Sequence, residues 1–267
     1  MTATLFTGVA RVRIAASERQ DTTVLVEPVD GADRSHVKVA EKTTVDFTGG
    51  ELTVKTVKSG DKDGSVAITI ELPAGSGLVL NTAWSEVHAD GRFGDCELDM
   101  ASGRVLLDHV AALRGNLAAG EVEVGHVAGA VHVDGGSAGV RLGTVEGTVR
   151  YEGSSGQVRI GHAASDVELG GASGRFDIDR ADGDVVAKAA ACPIRIGVMT
   201  SGRTEPANAS GGIEVGVAEG TAAVVDADST KGAVRNSLPA QDDLASFADK
   251  VTIHARTRRD DIVVHRA

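Results

Sequence analysis

The sequence predicts an all-β chain: a right-handed parallel β-helix, or solenoid, of about 18 residues per coil behind an N-terminal antiparallel β cap. The first observation behind this is a period. The apolar pairs Val122/Val124, Val140/Leu142, Val158/Ile160, Phe176/Ile178, Ile194/Ile196 and Ile213/Val215 follow one another at steps of 18, 18, 18, 18 and 19 residues. The second is alternation within each copy. In Gly156-Gln-Val158-Arg-Ile160-Gly161 and Gly174-Arg-Phe176-Asp-Ile178-Asp179, two apolar residues straddle a polar one, the period of a strand whose side chains point alternately to two faces. The third is composition. Gly numbers 34, about twice its usual share, and aromatics are only 3%. Such a chain fits a thin core with tight corners, where Gly accepts positive φ without steric cost. Right-handedness follows from the general rule for parallel crossovers.

Residues 1–75 lack the 18-residue step but alternate at Val12/Ile14, Val24/Val26, Val37/Val39, Val45/Phe47, Leu52/Val54 and Ile68/Ile70/Leu72. Turn clusters separate these runs, among them Ser59-Gly60-Asp61-Lys-Asp63-Gly64. They read as an antiparallel meander covering the first rung, whose open edge needs protection. Pro73-Ala-Gly75-Ser-Gly77 then marks the change of regime, and the array occupies residues 76–237 in about nine coils. Leu78/Leu80 and Val87/Ala89 open it, with Trp84 read as packing. Beyond Val234-Arg-Asn236 the period stops at Leu238-Pro239. Residues 238–267 read as a C-terminal cap: one or two helical turns from Asp242 to Lys250, capped by Asp242 or Asp243, then strands at Val251–Ala255 and Ile262–Val264 that close the last rung. With both ends covered, the expected particle is a monomer or small oligomer and not an open filament.

Aligned on the first pair, the polar residues form a column of Glu123, Arg141, Arg159, Asp177, Arg195, Glu214 and Arg235. Signs alternate along most of it, as expected of a solvated face that holds strands in register. A net charge of −11 argues against a nucleic-acid backbone as partner. No stretch is apolar over the roughly 18 residues a spanning helix needs, and the start lacks a basic region followed by an apolar run. The expectation is a cytoplasmic chain without membrane insertion. Cys96 and Cys192 match no Cys-x-x-Cys pattern and read as two buried free thiols.

The chemistry-bearing residues point away from catalysis. His109, His126 and His162 share one turn column with Thr144, and His109, His126 and Asp108 are too few for a zinc site of three or four ligands. The outward columns set Asp177 between Arg159 and Arg195 and Glu168 beside Arg150, whereas glycoside cleavage needs two paired carboxyls. A neighbouring arginine lowers a carboxyl's pKa and unfits it as a proton donor. Gly135-Gly136-Ser-Ala-Gly139 lacks the Asp of a calcium-binding nonapeptide, no Gly-x-Ser-x-Gly elbow occurs, and the hexapeptide rhythm of left-handed acyltransferase helices is absent. No catalytic, cofactor-binding or metal-binding residue is assigned.

Glu71-Leu-Pro-Ala-Gly-Ser-Gly-Leu78, the recurring Gly-x-Val-x-Val units, Glu214-Val-Gly-Val-Ala-Glu-Gly-Thr-Ala222, Val234-Arg-Asn-Ser-Leu238 and the closing Val251–Val264 follow one another in a distinctive order. With that order the chain resembles the bacterial β-strand-repeat proteins labelled adhesins, a family of unknown function, over nearly its whole length. The resemblance implies a parallel β-helix and brings no functional residues with it. The expected role is a non-catalytic scaffold or adhesin-like protein that binds a protein partner or itself. The alternative is a β-helix that binds or cleaves an acidic polysaccharide, for which Trp84 and Tyr151 are the only Trp and Tyr.

Overall fold

The computed structural model describes residues 1–56, 64–239 and 249–267, and they are nearly all strand. The chain forms two compact units, Met1–Ala128 and Gly129–Ala267. The turn cluster at 59–64 falls mostly outside the described residues, and the expected helix from Asp242, with its capping residue, does so too.

The first unit contains β1 (Thr2–Ser17), β2 (Thr23–Pro28), α1 (Arg34–Lys42), β3 (Thr44–Thr48), β4 (Glu51–Lys55), β5 (Val66–Pro73), β6 (Gly77–Leu117) and β7 (Glu121–Val127). Antiparallel pairing occurs here, β2 with β5 and β3 with β4. β1 belongs to no meander. One of its edges runs parallel to β4 and then β5, and the other runs parallel to β6. The N-terminal strand is therefore a complete rung slotted between two others. Alternation could not reveal this, because an inward-outward pattern is the same whichever direction the neighbour runs.

Val37 and Val39, expected in a strand, lie in α1. Asp33 caps that helix, its Oδ1 accepting from the Ser35 amide at 2.7 Å. A two-residue apolar spacing inside a nine-residue polar segment is too short to oppose the cap.

β6 runs for 41 residues because it turns corners without losing its ladder. Gly91 and Gly103 take φ of 104° and 115° at those corners. Successive passes stack about 18 residues apart, as where the Gly94 amide donates to Ser76 O at 2.9 Å.

The second unit is two parallel stacks joined by short turns. One contains β8 (Val131–Gly135), β10 (Val149–Gly153), β12 (Val167–Ser173), β14 (Val185–Ala191) and β16 (Gly202–Ala207). The other contains β9 (Gly139–Val145), β11 (Gln157–Ala163), β13 (Arg175–Ala181), β15 (Ile194–Met199) and β17 (Ile213–Val217). Like positions lie over each other as the period requires: Val140, Val158, Phe176, Ile194 and Ile213 are direct neighbours in the ladder, and all are buried.

The end of the chain departs from that order. β20 (Lys250–Thr257) lies between β16 and β18 (Ala222–Ser229), and β21 (Ile262–Arg266) lies between β17 and β19 (Val234–Asn236). The C-terminal strands do not close the last rung; they are inserted one rung inside it. Ile262 consequently stands between Ile213 and Val234, and Val263 separates Glu214 from Arg235. Burial follows the same logic. Val251, Ile253, Ala255, Ile262 and Val264 are fully buried, while Val224 and Val234 of the outer rung are exposed.

Two outcomes test this register. Val158→Asp buries an unpaired charge mid-stack and should prevent soluble folding, whereas Arg159→Ala on the outer face should leave the thermal midpoint close to that of the parent. Truncation before Lys250 removes a rung with neighbours on both sides. It should abolish the cooperative melt followed by circular dichroism, a far larger loss than trimming a terminal strand would cause.

Candidate functional site

The outer faces carry the polar chemistry. Ladder register sets Asp177 between Arg159 and Arg195, as the period requires. Side-chain pairing is displaced by two residues: it is Asp179 that takes both arginines, Arg159 at 3.0 Å and Arg195 at 3.2 Å. Asp177 meets Arg175 at 3.5 Å. A long arginine reaches the diagonal position as easily as the direct one, so backbone register does not decide its partner. Hydrogen bonding from Arg159, reinforced by Arg195, holds the Asp179 carboxyl below its usual range. Arg150 meets Glu168 at 3.6 Å, as expected.

Other carboxylates follow the same rule. Asp226 accepts from Arg256 at 2.6 Å and contacts His254 at 3.2 Å, and those bonds, Arg256's foremost, lower its pKa. Glu214 lies 3.2 Å from His265 and 3.9 Å from Arg195. Partial burial pushes the Asp182 carboxyl up, but bonds with His162 at 2.6 Å, Thr200 at 2.7 Å and Arg180 at 2.9 Å outweigh it and leave it lowered.

The histidine column is present. His109 and His126 are ladder neighbours with ring centroids 5.3 Å apart, and His109 Nδ1 lies 2.9 Å from Asp108. His162 neighbours Thr144 in register. Among the described residues no three His, Cys, Asp or Glu side chains converge as metal ligands. Cys96 and Cys192 are free and buried, and burial pushes their thiols up to about 12 and about 11, far from a reactive thiolate. Asn208 is buried, its amide donating to Cys192 O at 2.8 Å and Gly212 O at 3.0 Å.

Of the two large aromatics, Trp84 departs from its expected packing role and Tyr151 lies inward with its strand's apolar residues. Trp84 is 67% exposed. It stands where β1 and β6 bend, beside Val9 in register, between inward-facing Thr82 and Ser85. Two non-inward residues in succession at a corner break the alternation, which is why Trp84 does not pack. Tyr151 is buried edge-on to Phe176 at 6.1 Å, and its hydroxyl has no hydrogen-bond partner among the described residues. Gly135, Gly153 and Gly156 leave the room it occupies; a Cβ at Gly156 would fall on Tyr151 Oη and on Ala138 O. The strand alternation of Val149 and Tyr151 points the ring inward, and the glycine cluster that admits it reads in sequence as turn chemistry.

These features define a parallel β-solenoid, several of whose outer carboxylates, Asp179, Asp182 and Asp226 among them, are tied to arginines. The chain belongs to the family described as Toastrack DUF4097, which matches residues 5–264. A crystal structure described as a "putative cell adhesion protein" from Clostridium sporogenes is similar over 100% of this chain and 93% of its own, at 9% identity and a TM-score of 0.21. No protein of curated function matches. Among the described residues no helix is long and apolar enough to cross a membrane.

Tyr151→Phe removes a buried hydroxyl without a partner and should be neutral or stabilising by about 1 kcal/mol, while Gly156→Ala should cost about 1–3 kcal/mol through overpacking; chemical denaturation measures both. Carboxyls with lowered folded-state pKa contribute stability that is complete above the ordinary carboxylate range and is lost as pH falls through the lowered values. Asp179→Asn should therefore reduce stability at neutral pH and shrink its loss on acidification, read from melts at stepped pH.

Proposed function

We propose that this chain is a non-catalytic structural or interaction protein, scaffold-like or adhesin-like, that works by presenting its faces and ends to a protein partner or to another copy. The observation that supports this most is the pairing of its outer carboxylates. Asp179, Asp182 and Asp226 are each held by one or two cations and lie below the usual range, the reverse of what a general acid needs near neutral pH. The retaining and inverting arrangements of glycoside cleavage both require one carboxyl raised in pKa and facing a second. Two buried free thiols suit a reducing compartment, in keeping with a cytoplasmic setting.

One observation favours the carbohydrate-binding alternative: Trp84, the single Trp, stands exposed beside Val9. Because it is single, its fluorescence reports that position alone. Acidic and neutral polysaccharides titrated into the protein should leave Trp84 emission unchanged and release no reducing ends. Saturable quenching, or turnover abolished by substituting an outer carboxylate, would replace the proposed role with the alternative.

A further inference from the structure

Two features of the histidine column in the first unit point to a metal. The first is backbone placement. β6 and β7 run parallel, and His109 is the direct ladder neighbour of His126. The ladder pairs on either side, Leu107 with Val124 and Val110 with Val127, are buried, so the two imidazoles are held at one corner between fixed points. Their ring centres are 5.3 Å apart. Two imidazoles on one tetrahedral ion, each nitrogen about 2.0–2.1 Å from the metal, set their ring centres at nearly that separation, roughly 5 Å. The 55° tilt between the rings is neither stacked nor edge-on, so ring contact alone does not select the arrangement. The second feature is a carboxylate behind one ligand. Asp108 Oδ1 lies 2.9 Å from His109 Nδ1. Its Oδ2 accepts from the Gly91 amide at 3.3 Å, which fixes the carboxylate from the preceding turn. With Nδ1–H donating to Asp108, the lone pair of His109 falls on Nε2, across the ring. A carboxylate in this place sets the tautomer and raises the basicity of a metal-bound histidine.

We infer that His109 and His126 chelate one divalent transition ion of the zinc class across β6 and β7, with Asp108 orienting His109 from behind. Among the described residues no third protein ligand joins them, and two are fewer than the three or four of a resident zinc site. Water completes the shell, and the ion exchanges with solution. Half the ligands of a structural site supply about half its binding free energy, which places the dissociation constant between roughly micromolar and submillimolar. Hard ions such as Mg²⁺ and Ca²⁺ prefer oxygen ligands and do not compete. Because the two imidazoles belong to neighbouring rungs, the bound ion is a cross-link between them. It stabilises the folded chain as its concentration rises above the dissociation constant. This site is separate from the interaction role proposed above and does not rest on it.

Isothermal titration of the full chain with zinc chloride in a non-chelating buffer should show one equivalent bound in that range, and saturating zinc should raise the thermal midpoint. His109→Gln and His126→Gln, neither at a buried position, should keep the parent's metal-free melt and weaken binding at least tenfold. Asp108→Asn should weaken it about tenfold. His162→Gln, at a histidine bonded to Asp182, should leave it unchanged. Magnesium chloride should give no saturable heat. In the parent chain, zinc should also protect His109 and His126 from carbethoxylation by diethylpyrocarbonate, read by peptide mass. That measurement decides the question if a variant fails to fold. No saturable binding at millimolar zinc, affinity retained in either histidine variant, parent affinity in Asp108→Asn, or equal modification of both histidines with and without zinc would each overturn the inference. The interaction role falls to different results, turnover or saturable glycan binding.

Discussion

A parallel rung is satisfied only by other rungs. Its amides and carbonyls point along the stack, to the neighbour about 4.8 Å away on either side, and its corners must let that neighbour approach without interference. In the first unit a Cβ at Gly103 would fall on Ser85 O, and one at Gly120 on Gly103 O. In the second, Gly156 lies over Ala138 O, and Gly174 over Gly156 O. Glycine recurs because the preceding turn's carbonyl occupies the space a side chain would take, and at Gly103, Gly120 and Gly174 the backbone also adopts positive φ. The thin core of Val, Ile and Ala has the same origin, since only small or branched side chains repeat every rung without colliding.

That constraint makes the ends of a stack its weakest places, and the first and last described strands are placed in a consistent way. β1 lies between the β4–β5 rung and β6, and β20–β21 lies between the β16–β17 and β18–β19 rungs. The first strand and the last two are thereby each paired along both edges. The outermost rungs are made from internal segments anchored at both of their own ends. The cost is that each such outer strand carries an edge of its own, with apolar residues such as Phe47, Val224 and Val234 left exposed.

The charged face is a consequence of the same stacking. Outward positions repeat at the rung spacing, so charges of one sign would accumulate into a repelling ladder. Arginines distributed among the carboxylates convert the ladder into pairs, each modest by itself because it is exposed. Pairing holds Asp179, Asp182 and Asp226 in their charged form, and it links neighbouring rungs across the face.

The sequence by itself determined the rung. The 18-residue step, the inward residues from Val140 to Ile213, the outward column and the corner glycines all follow from local chemistry repeated at a fixed interval, and each copy repeats the same evidence. The order in which rungs stack was decided by tertiary structure. β21 and β19 have similar alternation, and nothing local says which lies against β17; full burial of Ile262 and Val264 on both sides does. The same holds for β1, whose parallel neighbours are distant in sequence, and for Asp179, which takes the arginines that register assigns to Asp177. Trp84 leaves the packed place expected of it because a corner is a property of several strands together. Local pattern specifies which face of a strand is buried, but only the assembled stack specifies which strand buries it.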